Sequence, residues 1–253
     1  MPNSSGTTST VDPEEVARFA ALAEDWWDPH GRFRPLHRFN PVRLFYIRDR
    51  LIGHFRRDPA ALTPFDGLRL LDIGCGGGLV AEPMARLGAA VVGLDATEQN
   101  IRVARLHAVG AGLDIDYRCA AAEDLLGGPE RFDIILNLEV VEHVAALEPF
   151  IAACSALLKP GGAMIVATLN RTAKAWGLAI VGAEYVLGWL PRGTHRWAKF
   201  VRPAELAGAL RRHGLAVAEL TGVSYHPLSG EWALSRDLAV NYMVFARFAD
   251  PAA

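Results

Sequence analysis

The chain has 253 residues, 51% of them apolar and 21% charged, which suits one globular domain with an appended arm and excludes a long disordered protein. Lys and Arg number 26 against 28 Asp and Glu; the net charge of -2 gives no chain-wide basic field for a phosphate backbone, so nucleic acid is not an expected partner. Cys75, Cys119 and Cys154 lie far apart with no C-x-x-C pair, which argues against a disulfide framework or a zinc knuckle and suits a reducing compartment.

Residues 1–11 carry no basic residue and no apolar run, so they read as a disordered tail rather than a secretory or transit signal. An N-terminal helical arm is expected over 12–66. Asp12 can cap its first helix, Pro13 suits the first position and Glu15 completes a capping box. Val16, Phe19, Ala20, Ala23, Trp26 and Trp27 then recur at helical spacing and give one apolar face, either docked on the domain or acting as a lid. Asp28-Pro29-His30-Gly31 breaks this helix, and Pro41 is expected to open a second that runs through Val42, Leu44, Phe45, Ile47 and Leu51.

The main domain is expected over 67–250. Leu68 to Ile73 is a short apolar strand that ends in Gly74-Cys75-Gly76-Gly77-Gly78, and Leu79 to Leu87 reads as the helix that follows. The second strand, Val91 to Leu94, ends on Asp95. Helix Thr97 to Val109, strands Ile115 to Tyr117 and Phe132 to Asn137, helix Ala146 to Leu157 and strand Ala163 to Thr168 continue the alternation. Helix Pro203 to His213 and strands Leu215 to Leu220 and Val240 to Phe248 complete it, with only a loop expected between the last two strands. Strands alternating with helices imply a parallel sheet covered on both faces, and a final pair joined by a loop implies an antiparallel edge. The fold class is therefore α/β: a Rossmann-like, seven-stranded, doubly wound sheet, mostly parallel with an antiparallel C-terminal edge strand. N-terminal helices precede it, and a helical insertion over 170–200 follows strand five.

A glycine loop before a helix lets a ligand approach the backbone, and an acid ending the next strand can accept the ribose hydroxyls of an adenosine. A nicotinamide fingerprint would place glycine where Leu79 stands. The pattern Asp72-x-Gly74-x-Gly76-x-Gly78, with Leu158-Lys159-Pro160-Gly161-Gly162 before the fifth strand, instead resembles Rossmann-like S-adenosylmethionine-dependent methyltransferases.

Ligands in such sheets bind beyond the carboxyl ends of the strands. There, after strand four, stand Leu138-Glu139-Val140-Val141-Glu142-His143. Glu139, Glu142 and His143 could share one turn and converge on a hard divalent ion such as magnesium; alternatively they orient substrate or satisfy backbone donors, because imidazole is an unusual magnesium ligand. Without a metal, His143 is the candidate general base.

Three further segments narrow the resemblance. Trp26-Trp27-Asp28-Pro29-x-Gly31-x-Phe33-x-x-Leu36-His37-x-x-Asn40-Pro41-x-Arg43-Leu44-x-Tyr46-Ile47 is similar to the N-terminal signature of the ubiquinone-biosynthesis O-methyltransferase family. So are Leu169-Asn170-Arg171-Thr172, with its continuation to Leu190-Pro191-x-Gly193-Thr194-His195, and Val240-Asn241-Tyr242-Met243. The resemblance implies methyl transfer from S-adenosylmethionine to a phenolic hydroxyl of a polyprenylated catechol and of 3-demethylubiquinol. By motif position it implies that Arg43, Gly74, Gly76, Asp95 and Leu138 hold the cofactor, Leu138 standing where relatives often have Met. It further implies a divalent cation, Mg2+, at Glu139, Glu142 and His143, the same residues being the catalytic candidates; a bound cation would favour the ionised form of a hydroxyl whose pKa lies near ~10. Other enzymes of ubiquinone biosynthesis are candidate partners. A methyltransferase of another small phenol or an amine, and a cofactor-binding scaffold without catalysis, are the competing functions.

The insertion holds Trp176 to Leu190, 15 residues, too short to span a bilayer and interrupted by Glu184. Trp176 and Trp189 lie at its ends, with Arg171 and Lys174 before it and Arg192, Arg196 and Lys199 after, as in interfacial helices. It reads either as a cover over the substrate pocket or as a membrane-docking segment over 174–197, giving a cytoplasmic protein peripherally associated with the membrane.

Overall fold

The computed structural model describes residues 10–12, 16, 25–177, 197–226 and 229–248. Of the first expected helix only Asp12, Val16 and 25–27 are described, with the Val16 N–H donating to the Asp12 carbonyl at 3.1 Å; the remainder lies outside the described residues. The breaker behaves as its composition demands: Asp28 Oδ1 accepts the His30 N–H at 2.8 Å and turns the chain. Helix α1 (Arg34–Phe55) begins one turn further on. It therefore starts before Pro41, which lies inside the helix with Pro35 in the first turn. Pro41 is exposed, so the missing donor costs α1 a single bond, while Phe39, Tyr46, Ile47 and Leu51 anchor the other face. The expected tail also ends earlier than Val11. Thr10 is 3% exposed, its carbonyl accepts the Ala145 N–H at 2.8 Å, and its hydroxyl donates to Glu123.

Among the described residues eight strands form one sheet: β1 (Arg69–Ile73), β2 (Ala90–Asp95), β3 (Asp116–Cys119), β4 (Phe132–Leu138), β5 (Leu158–Leu169), β6 (Leu215–His226), β7 (Glu231–Ser235) and β8 (Asn241–Phe248). Their order is β3-β2-β1-β4-β5-β8-β6-β7, with β1 to β5 paired in parallel and β8 antiparallel to both β5 and β6. The α/β architecture with an antiparallel end is as expected, but the count is eight rather than seven. The extra strand is β7, which occupies the segment expected as a loop and pairs only with β6. The last strand is thus interior, and the physical reason is burial. Residues 242–246 of β8 are covered on both faces, whereas β7 is only partly buried and suits a margin.

Alternation along the inner strands divides the core in two. Leu70, Ile134, Leu136 and Ile165 pack toward α1, α2 (Ala81–Arg86) and α3 (Glu98–Gly110). Leu71, Ile135, Met164 and Val166 pack toward α4 (Leu147–Leu157) and α5 (Pro203–Arg212). Each fully buried side chain of this kind contributes ~1.5–3 kcal/mol. The strand order reverses between β1 and β4, so the loops after these strands diverge and leave a crevice at the carboxyl end of the sheet.

Of the insertion, Ala173–Ala175 is a short helical turn capped by Thr172, whose hydroxyl accepts the Ala175 N–H at 3.0 Å, and Trp197–Lys199 is a 3₁₀ turn. Residues 178–196, the centre of the expected interfacial segment, lie outside the described residues. Among the described residues no helix is long and apolar enough to cross a membrane.

Candidate active site

The crevice opens into a cavity of about 260 Å³. Gly74 starts its floor with φ 71°, and a Cβ there would collide with Val140 in the loop after β4, so the two loops flanking the strand-order reversal touch through a glycine. Gly78, at φ 92°, leaves room in the same way for the Tyr117 hydroxyl beneath the loop. Arg43, Gly74, Asp95, Leu138, Glu139, Glu142 and His143 all line this one cavity, although they come from α1 and from the ends of three strands. Gly76 is not part of the lining; its N–H donates to Asp95.

Asp95 ends β2 with both carboxylate oxygens engaged. Oδ2 accepts the Gly76 N–H at 3.0 Å, while Oδ1 accepts the Thr97 N–H at 2.8 Å and Asn100 Nδ2 at 3.1 Å. Burial pushes its pKa above the ordinary carboxylate value and these donors pull it back. A carboxylate has about four acceptor sites and the Thr97 side chain is a further partner, so at most about one is left for a ligand rather than the pair that two ribose hydroxyls would use.

Arg43 is buried, its Nη2 donates to Asn40 Oδ1 at 2.9 Å, and Asn40 Nδ2 donates to the Leu79 carbonyl at 2.7 Å. Among the described residues Arg43 Nε has no hydrogen-bond partner. Burial lowers the guanidinium pKa, with Glu139 and Asp72 acting in the opposite sense. Asp72 is pushed up to about 7, first by burial and against the pull of Arg43.

After β4 the chain does not continue as a helix. Glu139 has φ 57°, its N–H donates to the Ala167 carbonyl at 2.9 Å, and residues 141–143 form a turn closed by the His143 N–H on the Val140 carbonyl at 2.8 Å. This left-handed residue breaks the helical spacing on which three converging ligands were expected. The carboxyls of Glu139 and Glu142 do meet; Glu142 Oε2 accepts the Thr168 hydroxyl at 2.8 Å, and burial followed by Glu139 raises Glu142 well above the usual carboxylate range. Glu139 Oε1 lies 3.9 Å from Arg43 Nη1. Among the described residues no three His, Cys, Asp or Glu side chains converge to hold a metal, so the expected Glu139, Glu142 and His143 cluster is not formed. What remains is a pair of carboxyls, each with one buried oxygen, Oε1, that has no hydrogen-bond partner among the described residues.

Several cavity residues escaped the sequence reading. Thr10, Phe33, Asn100 and Glu123 line it, and Glu123 Oε2 is a further buried acceptor without a partner. Asn100 lies five residues beyond Asp95, in the first turn of α3, a place that could have marked it; nothing in the sequence brings Thr10 beside Glu123.

A family model described as methyltransferase domain matches residues 71–166. A ubiquinone biosynthesis O-methyltransferase of Chelativorans sp. (strain BNC1) is 63% identical over 246 residues, covering 97% of this chain and 96% of the relative. Another, from Mesorhizobium japonicum, is 61% identical over 238 residues, covering 94% of this chain and 96% of the relative. Among solved structures, magnesium protoporphyrin IX methyltransferase from Synechocystis PCC 6803 with bound SAH matches with a TM-score of 0.64 over 93% of this chain and 96% of that one. At 18% identity that likeness speaks for the fold alone. Identity above 60% across almost the whole length places the chain in the ubiquinone biosynthesis O-methyltransferase family, as an S-adenosylmethionine-dependent enzyme.

Proposed function

We propose that the protein transfers the methyl group of S-adenosylmethionine to a phenolic hydroxyl of a polyprenylated catechol and of 3-demethylubiquinol, acting at both O-methylation steps of ubiquinone biosynthesis. The observation that carries the reading is that one cavity unites Asp95 at the end of β2, the Arg43 guanidinium with its Nε unpartnered among the described residues, and the Glu139–Glu142 pair. Asp95 would take a ribose hydroxyl, Arg43 would take the amino-acid carboxylate, and Leu138 would pack on the adenosyl group. The sulfonium supplies both the methyl group and the leaving group, so the task left to the protein is alignment and proton removal. As the phenolic oxygen bonds to the methyl carbon and the carbon–sulfur bond breaks, the hydroxyl proton needs an acceptor. Glu142 and His143 both line the cavity, and the raised pKa of Glu142 makes its ionised form a stronger base. Glu139 and Glu142 would be the residues to hold the Mg2+ that the family resemblance implies, and it would favour ionisation of the substrate hydroxyl.

The polyprenyl tail of such a substrate belongs in a bilayer. Trp176 is 51% exposed and Trp197 40% exposed where the described chain enters and leaves the insertion, which supports peripheral docking of 174–197 on an anionic membrane at the cytoplasmic face. Incubation with methyl-labelled S-adenosylmethionine and a panel of short-chain and polyprenylated catechols, plus demethylubiquinol, tests the activity. Label is expected in the polyprenylated catechol and in ubiquinol. No transfer to any acceptor would leave a cofactor-binding scaffold, and transfer confined to short phenols or amines would replace the substrate.

A further inference from the structure

The Trp-Trp pair that opens the family-like signature touches the glycine loop rather than the sheet. The Trp26 ring lies so close to the loop that a Cβ on Gly76 or Gly77 would collide with it, and Phe33 stacks on its far side at 3.8 Å with the planes 7° apart. Trp26 Nε1 donates to Asn100 Oδ1 at 2.9 Å, and Asn100, 1% exposed, passes its own Nδ2 to Asp95 Oδ1 at 3.1 Å. Asp95 closes the circuit by accepting the Gly76 N–H. Trp27 fastens the same loop from the other side: its Nε1 donates to the Gly77 carbonyl at 2.8 Å and its ring stacks on His107 at 3.4 Å. Trp26, Phe33 and Asn100 all line the cavity.

An amide has a fixed division of roles, one acceptor and two donors. With its oxygen held by the indole N–H, Asn100 can only present its Nδ2 to Asp95; released, it is free to turn its oxygen toward the carboxylate and repel it. We propose that Trp26 is a positioning residue for the cofactor: through Asn100 it fixes the rotamer of Asp95, so docking of the N-terminal arm and binding of S-adenosylmethionine reinforce each other. The proposal rests on Asp95 being a cofactor contact. Linkage makes the effect reciprocal, so cofactor must also tighten the arm.

Titration calorimetry with S-adenosylhomocysteine on the full chain tests this. Trp26→Phe keeps an aromatic ring against Gly77 but removes the donor together with the benzo edge over Gly76, so Asn100→Ala, which breaks the same relay on α3 and leaves the indole in place, separates the lost hydrogen bond from lost packing. Each is expected to weaken binding two- to tenfold, the range of one neutral hydrogen bond. The KM for S-adenosylmethionine should rise while kcat at saturating cofactor and the KM for the catechol stay unchanged. Combined with Asp95→Ala, Trp26→Phe should add no further loss, because its effect passes through that carboxylate. Saturating S-adenosylhomocysteine should also slow proteolysis after Arg32 in the wild type and not in Trp26→Phe. Unchanged affinity in both single variants, or a full additional loss in the Asp95→Ala background, overturns the relay while leaving Asp95 a cofactor contact. If Asp95→Ala alone has no effect, the cofactor assignment fails first and the relay with it.

Discussion

Replacing Asp95 by alanine probes the cofactor site with the fewest assumptions. The carboxylate has about four acceptor sites, the Gly76, Thr97 and Asn100 donors occupy three and the Thr97 side chain is a further partner, leaving at most about one for the ribose. One hydrogen bond to a charged group contributes ~1.5–3 kcal/mol, so S-adenosylmethionine affinity should fall roughly 10- to 150-fold rather than by the square of that factor. Folding stability should move much less. Of the three donors that lose their acceptor, Thr97 and Asn100 line the cavity, where water can replace it, and a buried carboxylate whose pKa is raised by desolvation is removed at the same time. Titration calorimetry with S-adenosylmethionine gives the affinity, and thermal melts followed by circular dichroism show that the fold persists. Wild-type affinity should also decline as pH falls through the raised Asp95 pKa, and the alanine variant should lack that decline. An affinity within threefold of wild type in a folded variant would refute the reasoning, as would a loss above a thousandfold, which one remaining acceptor site cannot supply.

Glu142→Gln, which keeps the side-chain shape and the Thr168 contact, should lower kcat at least tenfold with cofactor affinity within threefold; chelation should act in the same direction, and full activity in chelated enzyme would remove the cation from the mechanism. Asp72, with its pKa pushed up to about 7, holds a proton in the folded state that the unfolded chain releases near ~3.9, so it contributes stability fully below that value and loses it as pH rises toward 7, at up to ~1.4 kcal/mol per pH unit. Denaturant titrations between pH 5 and 7 should therefore show a shallower slope for Asp72→Asn than for wild type, and parallel curves would discount the buried carboxyl. Deleting 174–197 should abolish flotation with anionic vesicles and preserve S-adenosylmethionine affinity; wild-type protein that does not float at low salt would reduce the insertion to a pocket cover.

Residue spacing alone was sufficient for the alternating strands and helices, the glycine loop, the acid ending β2 and the paired faces of a buried sheet, because each depends on side-chain period and backbone freedom within a few neighbours. It also directed attention to the loop after β4, although the left-handed Glu139 replaces the helical turn on which a three-ligand cluster with His143 depended, and backbone handedness at a non-glycine leaves no mark in composition. The insertion of β8 between β5 and β6 was settled by long-range burial: a strand apolar on both faces needs two neighbours, and the half-apolar Glu231–Ser235 takes the margin. Arg43, Asp95 and Glu142 stand far apart in the chain and meet only because the strand order reverses between β1 and β4. The sequence specified which chemical groups this protein carries; tertiary structure decided which of them share a cavity, since a buried charge is tolerated only where distant segments deliver its partners.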